Sequence, residues 1–292
     1  MKARIVGFFA VIFLVLSCAD ANRSYVRKAV RIMDKHGIFA EGAEWTSAQK
    51  AALAAKPGSL EEAQDVIREA LKVAGGKHSF LKTGESVAAD AAAEWPAPSV
   101  SILEDGIAFV VLPPFSGGHS EGINYALTAL EGVPDDVRGV IIDLRDNTGG
   151  NMYPMIAAVH RFIVDDDILR FRTRKRTQWV QLPFVLQSVG ISRMAHIGCP
   201  VALLTNEWTA SSGEAVLLCF RGLDYARSFG LPTAGYASAN TPFTLSDGAQ
   251  LVLTTGCDVA RTGEVFCDNP IQPDVLTETP LEAALDWLRS VI

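Results

Sequence analysis

The 292-residue chain is short of several things, and each shortage removes a class of function. It has no block of one charge: 26 Lys and Arg against 33 Asp and Glu give a net −7 spread along its length, which excludes an electrostatic nucleic-acid binder. Its one basic cluster, Arg170, Arg172, Arg174, Lys175 and Arg176, follows the acidic Asp165, Asp166 and Asp167. That pair reads as a solvated loop or strand face. No Cys-x-x-Cys spacing or histidine cluster is present, so neither a metal site nor any cofactor is expected. Internal repeats and low-complexity tracts are absent, and no lysine follows Lys175.

The longest apolar run, residues 5–16, is too short for a stable membrane span. Preceded by Lys2 and Arg4, it reads as a signal peptide. Its ending Val15-Leu16-Ser17-Cys18 resembles a bacterial lipobox, in which Cys18 is acylated and becomes the first residue of a membrane-tethered lipoprotein. A plain secretory signal or an uncleaved anchor would leave Cys18 incidental. Each reading puts the folded part outside the cytoplasm, facing the periplasm or the cell exterior. Four cysteines then remain, and an oxidising compartment permits disulfides. Cys257 and Cys267 stand five residues either side of Thr262, in a strand, turn, strand pattern, and are either a cross-strand disulfide or two buried thiols.

A 49% hydrophobic content is enough for one main domain and a smaller one. Residues 19–86 read as an N-terminal helical region. Its clearest part has Ser59 as cap with Glu62 completing a capping box, apolar Ala63, Val66, Ile67, Ala70, Leu71 and Ala74 at helical spacing, and a Gly75-Gly76 stop. Lys77-His78-Ser79 follows directly. A histidine on a short loop after a capped helix is held by a rigid element yet reaches solvent, as a general base must. Residues 87–98 are alanine-rich, end in Trp-Pro-Ala-Pro, and read as a connector. Residues 99–292 alternate strands and helices, an α/β core. A hairpin covers 100–112, a helix 121–130, and the runs 139–144 and 201–205, apolar but for Asp143 and Thr205, read as strands buried on both faces.

Two stretches carry chemistry. In Asp143-Leu144-Arg145-Asp146-Asn147-Thr148-Gly149-Gly150-Asn151-Met152 a buried strand runs into a double-glycine turn, where the backbone can approach a ligand and present its N–H groups. In Asn206-Glu207-Trp208-Thr209-Ala210-Ser211-Ser212-Gly213-Glu214 a second strand runs into a helix start, where developing negative charge is stabilised. Taken singly, Ser or Asn before a helix is a cap. The ordered set is more than that: His78, Gly149-Gly150, Ser211, then Thr-Leu-Ser-Asp-Gly and Ile-Gln-Pro-Asp.

With DLRDNTGG (143–150), NEWTASSGEA (206–215), FGLPTAG (229–235), TLSDGAQLVLTT (244–255) and PIQPDV (270–275), the chain from about residue 75 to 275 resembles the tail-specific or C-terminal processing proteases, serine peptidase family S41. The resemblance implies a crotonase/ClpP-like α/β core preceded by a small helical region. It implies Ser211 as nucleophile, with an oxyanion hole from Ser212 N–H and Gly149 or Gly150. The best-known branch deprotonates its serine with a lysine, but Tyr236 stands at that place. A second branch, similar to nisin-resistance and tricorn proteins, has a histidine in a Gly-x-His-Ser-like motif, matched by Gly76-Lys77-His78-Ser79. The segment 150–155 also resembles the nisin-resistance type. Between His78 and the strand at Val140 there is room for the hairpin and helix, and none for a PDZ module.

The mechanism so implied is acyl transfer, with His78 accepting the Ser211 proton. Glu264 and Asp268 are candidates for a third, orienting carboxylate, and Glu214 reads as a first-turn charge complementing its helix. Asn151, Met152 and His119 are candidate substrate contacts, whereas His36, His160 and His196 read as structural or surface residues. Thr209 replaces the leading glycine of a nucleophile elbow, which argues against an α/β-hydrolase. The expected partner is a peptide or protein substrate. The alternatives are a weakly active or inactive peptide-binding protein of the same fold and, less compatible with export, an acyl-CoA enzyme.

Overall fold

A computed structural model describes residues 3–292, with side chains from Asp20 onward except Ala91. The Cys18 side chain, and with it the lipidation expectation, lies outside the described residues. The chain forms two compact units: residues 1–89 with 240–256, and residues 90–239 with 257–292.

In the first unit, α1 (Ala3–His36), α2 (Gly42–Ala54) and α3 (Leu60–Gly75) are followed by β1 (Phe80–Lys82) and α4 (Gly84–Ala91). Tyr25, Val26, Ala29, Val30 and Met33 recur at helical spacing and form the buried face of α1. Ser59 Oγ accepts from Glu62 N–H at 3.1 Å, the predicted cap, while the Glu62 carboxylate reaches Gly58 N–H at 2.7 Å rather than Ser59. Gly76 ends α3 with φ 68°. Residues 87–91 of the predicted connector are helical: alanine has the lowest helix cost, and Thr83 Oγ1 caps Ser86 N–H at 3.2 Å.

The second unit contains β2 (Ser99–Ile102), β3 (Ile107–Val111), α5 (His119–Gly132), β4 (Gly139–Asp143), α6 (Met152–Val159), β5 (Asp167–Arg172), β6 (Thr177–Gln181), α7 (Leu182–Val189), β7 (Val201–Thr205), α8 (Ser212–Phe220) and β8 (Ala226–Gly230). There follow β9 (Ser238–Thr244), β10 (Gln250–Val259), β11 (Val265–Phe266), β12 (Val275–Leu276) and α9 (Pro280–Val291), with β9 and β10 passing between the units. Its main sheet runs β12-β8-β7-β4-β3-β2, parallel except for the edge strand β2. Every residue of β4 and β7 is buried, as their apolar runs predict, and the buried Asp143 that ends β4 is paired with Arg145. The basic cluster lies on the β5–β6 hairpin, and Cys257 and Cys267 are disulfide-bonded with Cα atoms 4.6 Å apart.

The segment 240–256 completes the first unit. Phe80, Leu81 and Lys82 pair with Val252, Leu251 and Gln250, and Leu245, Leu251 and Leu253 are buried among Ile67, Leu71 and Met33. Each such leucine contributes about 2 kcal/mol of burial. Among the described residues no helix is long and apolar enough to cross a membrane.

Candidate functional site

Strands β4 and β7 are parallel neighbours, with Asp143 aligned to Leu204, so the turns that follow them leave the same sheet edge. In open parallel sheets that carboxyl edge is where ligands bind. Gly149, Gly150, Asn151 and Met152 lie on the first turn and Ser211 and Ser212 on the second, so the structure brings these six expected residues together.

The two turns are joined by hydrogen bonds. Thr209 Oγ1 donates to Leu144 O at 2.8 Å, and Ala210 N–H to Asn147 O at 2.9 Å. Asp146 N–H donates to Asn206 Oδ1 at 3.1 Å, and Asn206 Nδ2 returns a bond to Asp146 Oδ1 at 2.9 Å. Ser212 Oγ donates to Gly150 O at 2.7 Å. Gly149 has φ 100°, and a Cβ there would stand 2.7 Å from Ser211 Cβ and 3.0 Å from Ser212 N, so only glycine fits.

The fully buried Asn147 decides which glycine N–H is open. Its Oδ1 accepts from Gly149 N–H at 2.9 Å and its Nδ2 donates to Leu112 O at 2.8 Å. The Gly150 carbonyl is held by Ser212, but among the described residues neither Gly150 N–H nor Ser212 N–H makes a hydrogen bond. Asn151 caps α6, accepting from Tyr153 N–H at 3.1 Å, and the half-buried Met152 begins that helix.

Ser211 is the N-cap of α8, with φ 52° and ψ −113°. A non-glycine residue in this region costs about 1–3 kcal/mol and persists only when its surroundings over-determine it. Glu214 supplies much of that constraint. Fully buried, it accepts Ser211 N–H at 2.8 Å and Tyr236 N–H at 2.7 Å on Oε2, and Gly235 N–H at 3.0 Å together with the Thr233 hydroxyl on Oε1. Burial raises its pKa, while the hydrogen bonds from Thr233, Ser211, Tyr236 and Gly235 pull the other way. Thr233 Oγ1 in turn accepts from Ile271 N–H at 2.8 Å. The segments 206–215, 229–235 and 270–275 are thereby tied through one carboxylate. Its place in the first turn of α8 is as expected, but the carboxylate serves these buried donors rather than the helix end alone.

His78 belongs to the first unit, 9% exposed, and burial with the neighbouring Lys77 charge lowers its pKa to about 4. The imidazole is therefore neutral, able to accept a proton, across neutral pH. Its loop is held by hydroxyl and amide groups: Asn240 Nδ2 donates to His78 O at 2.9 Å, Thr254 N–H to Ser79 Oγ at 2.8 Å, and Thr254 Oγ1 to Asn240 Oδ1 at 2.8 Å. Ser79 Oγ lies so close to α3 that a Cβ on Gly75 would meet it at 1.9 Å.

The remaining candidates are on other segments. His119 begins α5 and is exposed; Phe115, four residues before it, is tied to the double-glycine turn, its N–H donating to Gly149 O at 3.1 Å and its carbonyl accepting from Asn151 N–H at 2.6 Å. Glu264 accepts from Arg221 Nε and Nη2, both at 3.1 Å, which holds its pKa down. Asp268 has a buried Oδ1 with no hydrogen-bond partner among the described residues. His160 is structural, its Nδ1 2.7 Å from Ala157 O and its Nε2 accepting from Met194 N–H at 3.0 Å. Cys199 and Cys219 are buried, with burial raising their thiols to about 11 and about 12.

Residues 106–277 match Peptidase family S41. The nisin-resistance protein of Lactococcus lactis subsp. lactis is 30% identical over 98% of this chain and 92% of its own. The chain belongs to peptidase family S41. This S41 peptidase also superposes on a lipoprotein from Streptococcus agalactiae with TM-score 0.85 and 31% identity, covering 93% of this chain and 97% of that one. At 16% identity, the photosystem II D1 C-terminal processing protease shares the fold alone, with TM-score 0.63 over 91% of this chain and 97% of its own. The α/β core with N-terminal helices is thus the S41 architecture, and the chain is a serine-type peptidase, a hydrolase.

Three residues of the S41 core escaped sequence reasoning in their roles: Asn147, Thr233 and Glu214. Around His78 the same holds for Ser79, Asn240 and Thr254. All six lie inside or beside the matching segments, which was the available signal. Their partners are far off in sequence, and spacing does not reveal them.

Proposed function

We propose that the protein is an exported peptidase that cleaves peptide bonds through an acyl-enzyme on Ser211, with His78 as general base. The observation that carries this reading is the Ser211 backbone: strained, at a helix N-terminus, beside two uncommitted N–H groups. His78 takes the hydroxyl proton, Oγ attacks the carbonyl, and the N–H groups of Gly150 and Ser212 hold the oxyanion. His78 then returns the proton to the departing amine, and water repeats the sequence to release the acyl group. Tyr236 occupies the place of the lysine used in the other branch, and His78 is unprotonated at neutral pH, the state in which a base can take the serine proton. Of the two carboxylates considered as a third member, Glu264 is committed to Arg221, which leaves Asp268 as the stronger candidate. Asn151 and Met152, at the head of α6, are the substrate contacts best placed by their turn.

The resemblance to a streptococcal lipoprotein supports Cys18 as the lipidation site and a membrane-tethered location. The relative named for nisin resistance makes nisin-type peptides the substrates to try first.

The test is intact-mass analysis of the soluble chain from residue 20 after a fluorophosphonate probe, alongside Ser211→Ala and His78→Ala, with nisin and a mixed peptide pool as substrates. Labelling and cleavage by wild type, both lost in each variant, are expected. A folded wild type that neither labels nor cleaves would overturn the peptidase reading in favour of a peptide-binding protein.

A further inference from the structure

Glu214 is the most heavily bonded buried acid of the second unit, and no cation is hydrogen-bonded or ion-paired to it among the described residues. An ionised carboxylate without a counter-ion is retained inside a protein only where donors solvate it. Here three backbone N–H groups and a hydroxyl do so, filling both oxygens. Asp258 provides the contrast within the same unit: it is 2% exposed, its Oδ1 has no partner, and burial followed by repulsion from Glu214 raises its pKa well above the ordinary range. The hydrogen-bond donors thus single out Glu214, both of whose oxygens are filled, from Asp258, whose Oδ1 is left open among the described residues.

The bond to Ser211 is the informative one. Ser211 N–H belongs to the residue whose φ is 52°, and the carboxylate that receives it is in the first turn of α8. The other oxygen and the shared one reach Thr233, Gly235 and Tyr236, which belong to a different segment. We propose that Glu214 is a positioning residue for the nucleophile: its carboxylate holds the Ser211 backbone in the left-handed region and locks the serine turn to the 233–236 segment. The inference rests on Ser211 being the nucleophile. Released from Glu214, Ser211 relaxes toward an ordinary cap geometry, its hydroxyl leaves the attacking position, and Ser212 N–H turns with it. Because the effect is on geometry in the reaction and not on the substrate groove, the loss falls on kcat and leaves KM nearly unchanged.

The experiment compares wild type, Glu214→Gln, Thr233→Val and Thr233→Ser for kcat, KM and the rate of fluorophosphonate labelling, with circular dichroism to establish folding. Gln presents an NH₂ group to backbone donors, so E214Q is expected to lose kcat and labelling rate by about 10- to 100-fold. T233V removes one of the four donors and is expected to lose roughly 5- to 10-fold, with T233S restoring the rate because its hydroxyl is kept. A folded E214Q within twofold of wild-type kcat overturns the proposal. If E214Q does not fold, the threonine pair decides: equal kcat in T233V and T233S overturns it, and a kcat loss in T233V recovered by T233S sustains it. Wild type failing to label would instead overturn the assignment of Ser211 as nucleophile, which separates the two failures.

Discussion

The loop carrying His78 and the turn carrying Ser211 are fixed by different chemistry. The serine turn stores backbone strain and is restrained by a buried carboxylate and a buried amide, beside a glycine with no room for a Cβ. The histidine loop is built from neutral groups, Ser79, Asn240 and Thr254, with Gly76 of positive φ as its entry. A nucleophile must be held to a fraction of an ångström against its preferred geometry, so its support has to be strong and over-determined. A base needs the right protonation state and a fixed backbone, and neutral donors hold the His78 backbone without adding a charge of their own.

The contrast can be broken most severely on the serine side. Gly149→Ala puts a Cβ 2.7 Å from Ser211 Cβ at φ 100°, and kcat/KM is expected to fall by roughly 10²- to 10³-fold, a loss of the size seen for an oxyanion donor. Peptide cleavage by the folded variant measures this, and a loss below threefold would show that the turn is slack. On the histidine side Ser79→Ala leaves Thr254 N–H buried without its acceptor, costing about 1–3 kcal/mol of stability and about tenfold in kcat/KM. Thermal melts and peptide kinetics would report both, and an unchanged melt would remove Ser79 from the account. The smallest effect is a displacement along the pH axis. The base must be unprotonated, so activity is lost as pH falls through the His78 pKa, and the acid limb of kcat/KM should lie near pH 4. A limb near 6.5 would mean that the imidazole is hydrated in the working enzyme.

Local signals gave a good account of local structure. Ser59 and Gly76 bound α3 as expected, and the apolar runs of β4 and β7 were readable as doubly buried strands. The serine and double-glycine turns were legible for the same reason: a strand, a turn and a helix start are contiguous in the chain. The assignment of the 240–256 strands to the first unit was not legible, because pairing between Phe80 and Val252 is long-range and leaves no periodic trace. Glu214 shows the other kind of blindness. An acid at the third position of a helix is already explained by capping, so nothing in the sequence asks for Thr233 and Tyr236 as its partners. The choice between Gly149 and Gly150 likewise turns on Asn147, whose side chain occupies one of two adjacent N–H groups.

The return of residues 240–256 to the N-terminal helices sets an order of events during synthesis. Leu245, Leu251 and Leu253 are part of the hydrophobic interior of that unit, and Asn240 and Thr254 secure the His78 loop. Until about residue 256 has left the ribosome, the helices lack their inner wall and the His78 loop lacks its bonds to Asn240 and Thr254. The loop that carries His78 can therefore be secured only after most of the polypeptide has been delivered, although the helices it follows are among the first residues made.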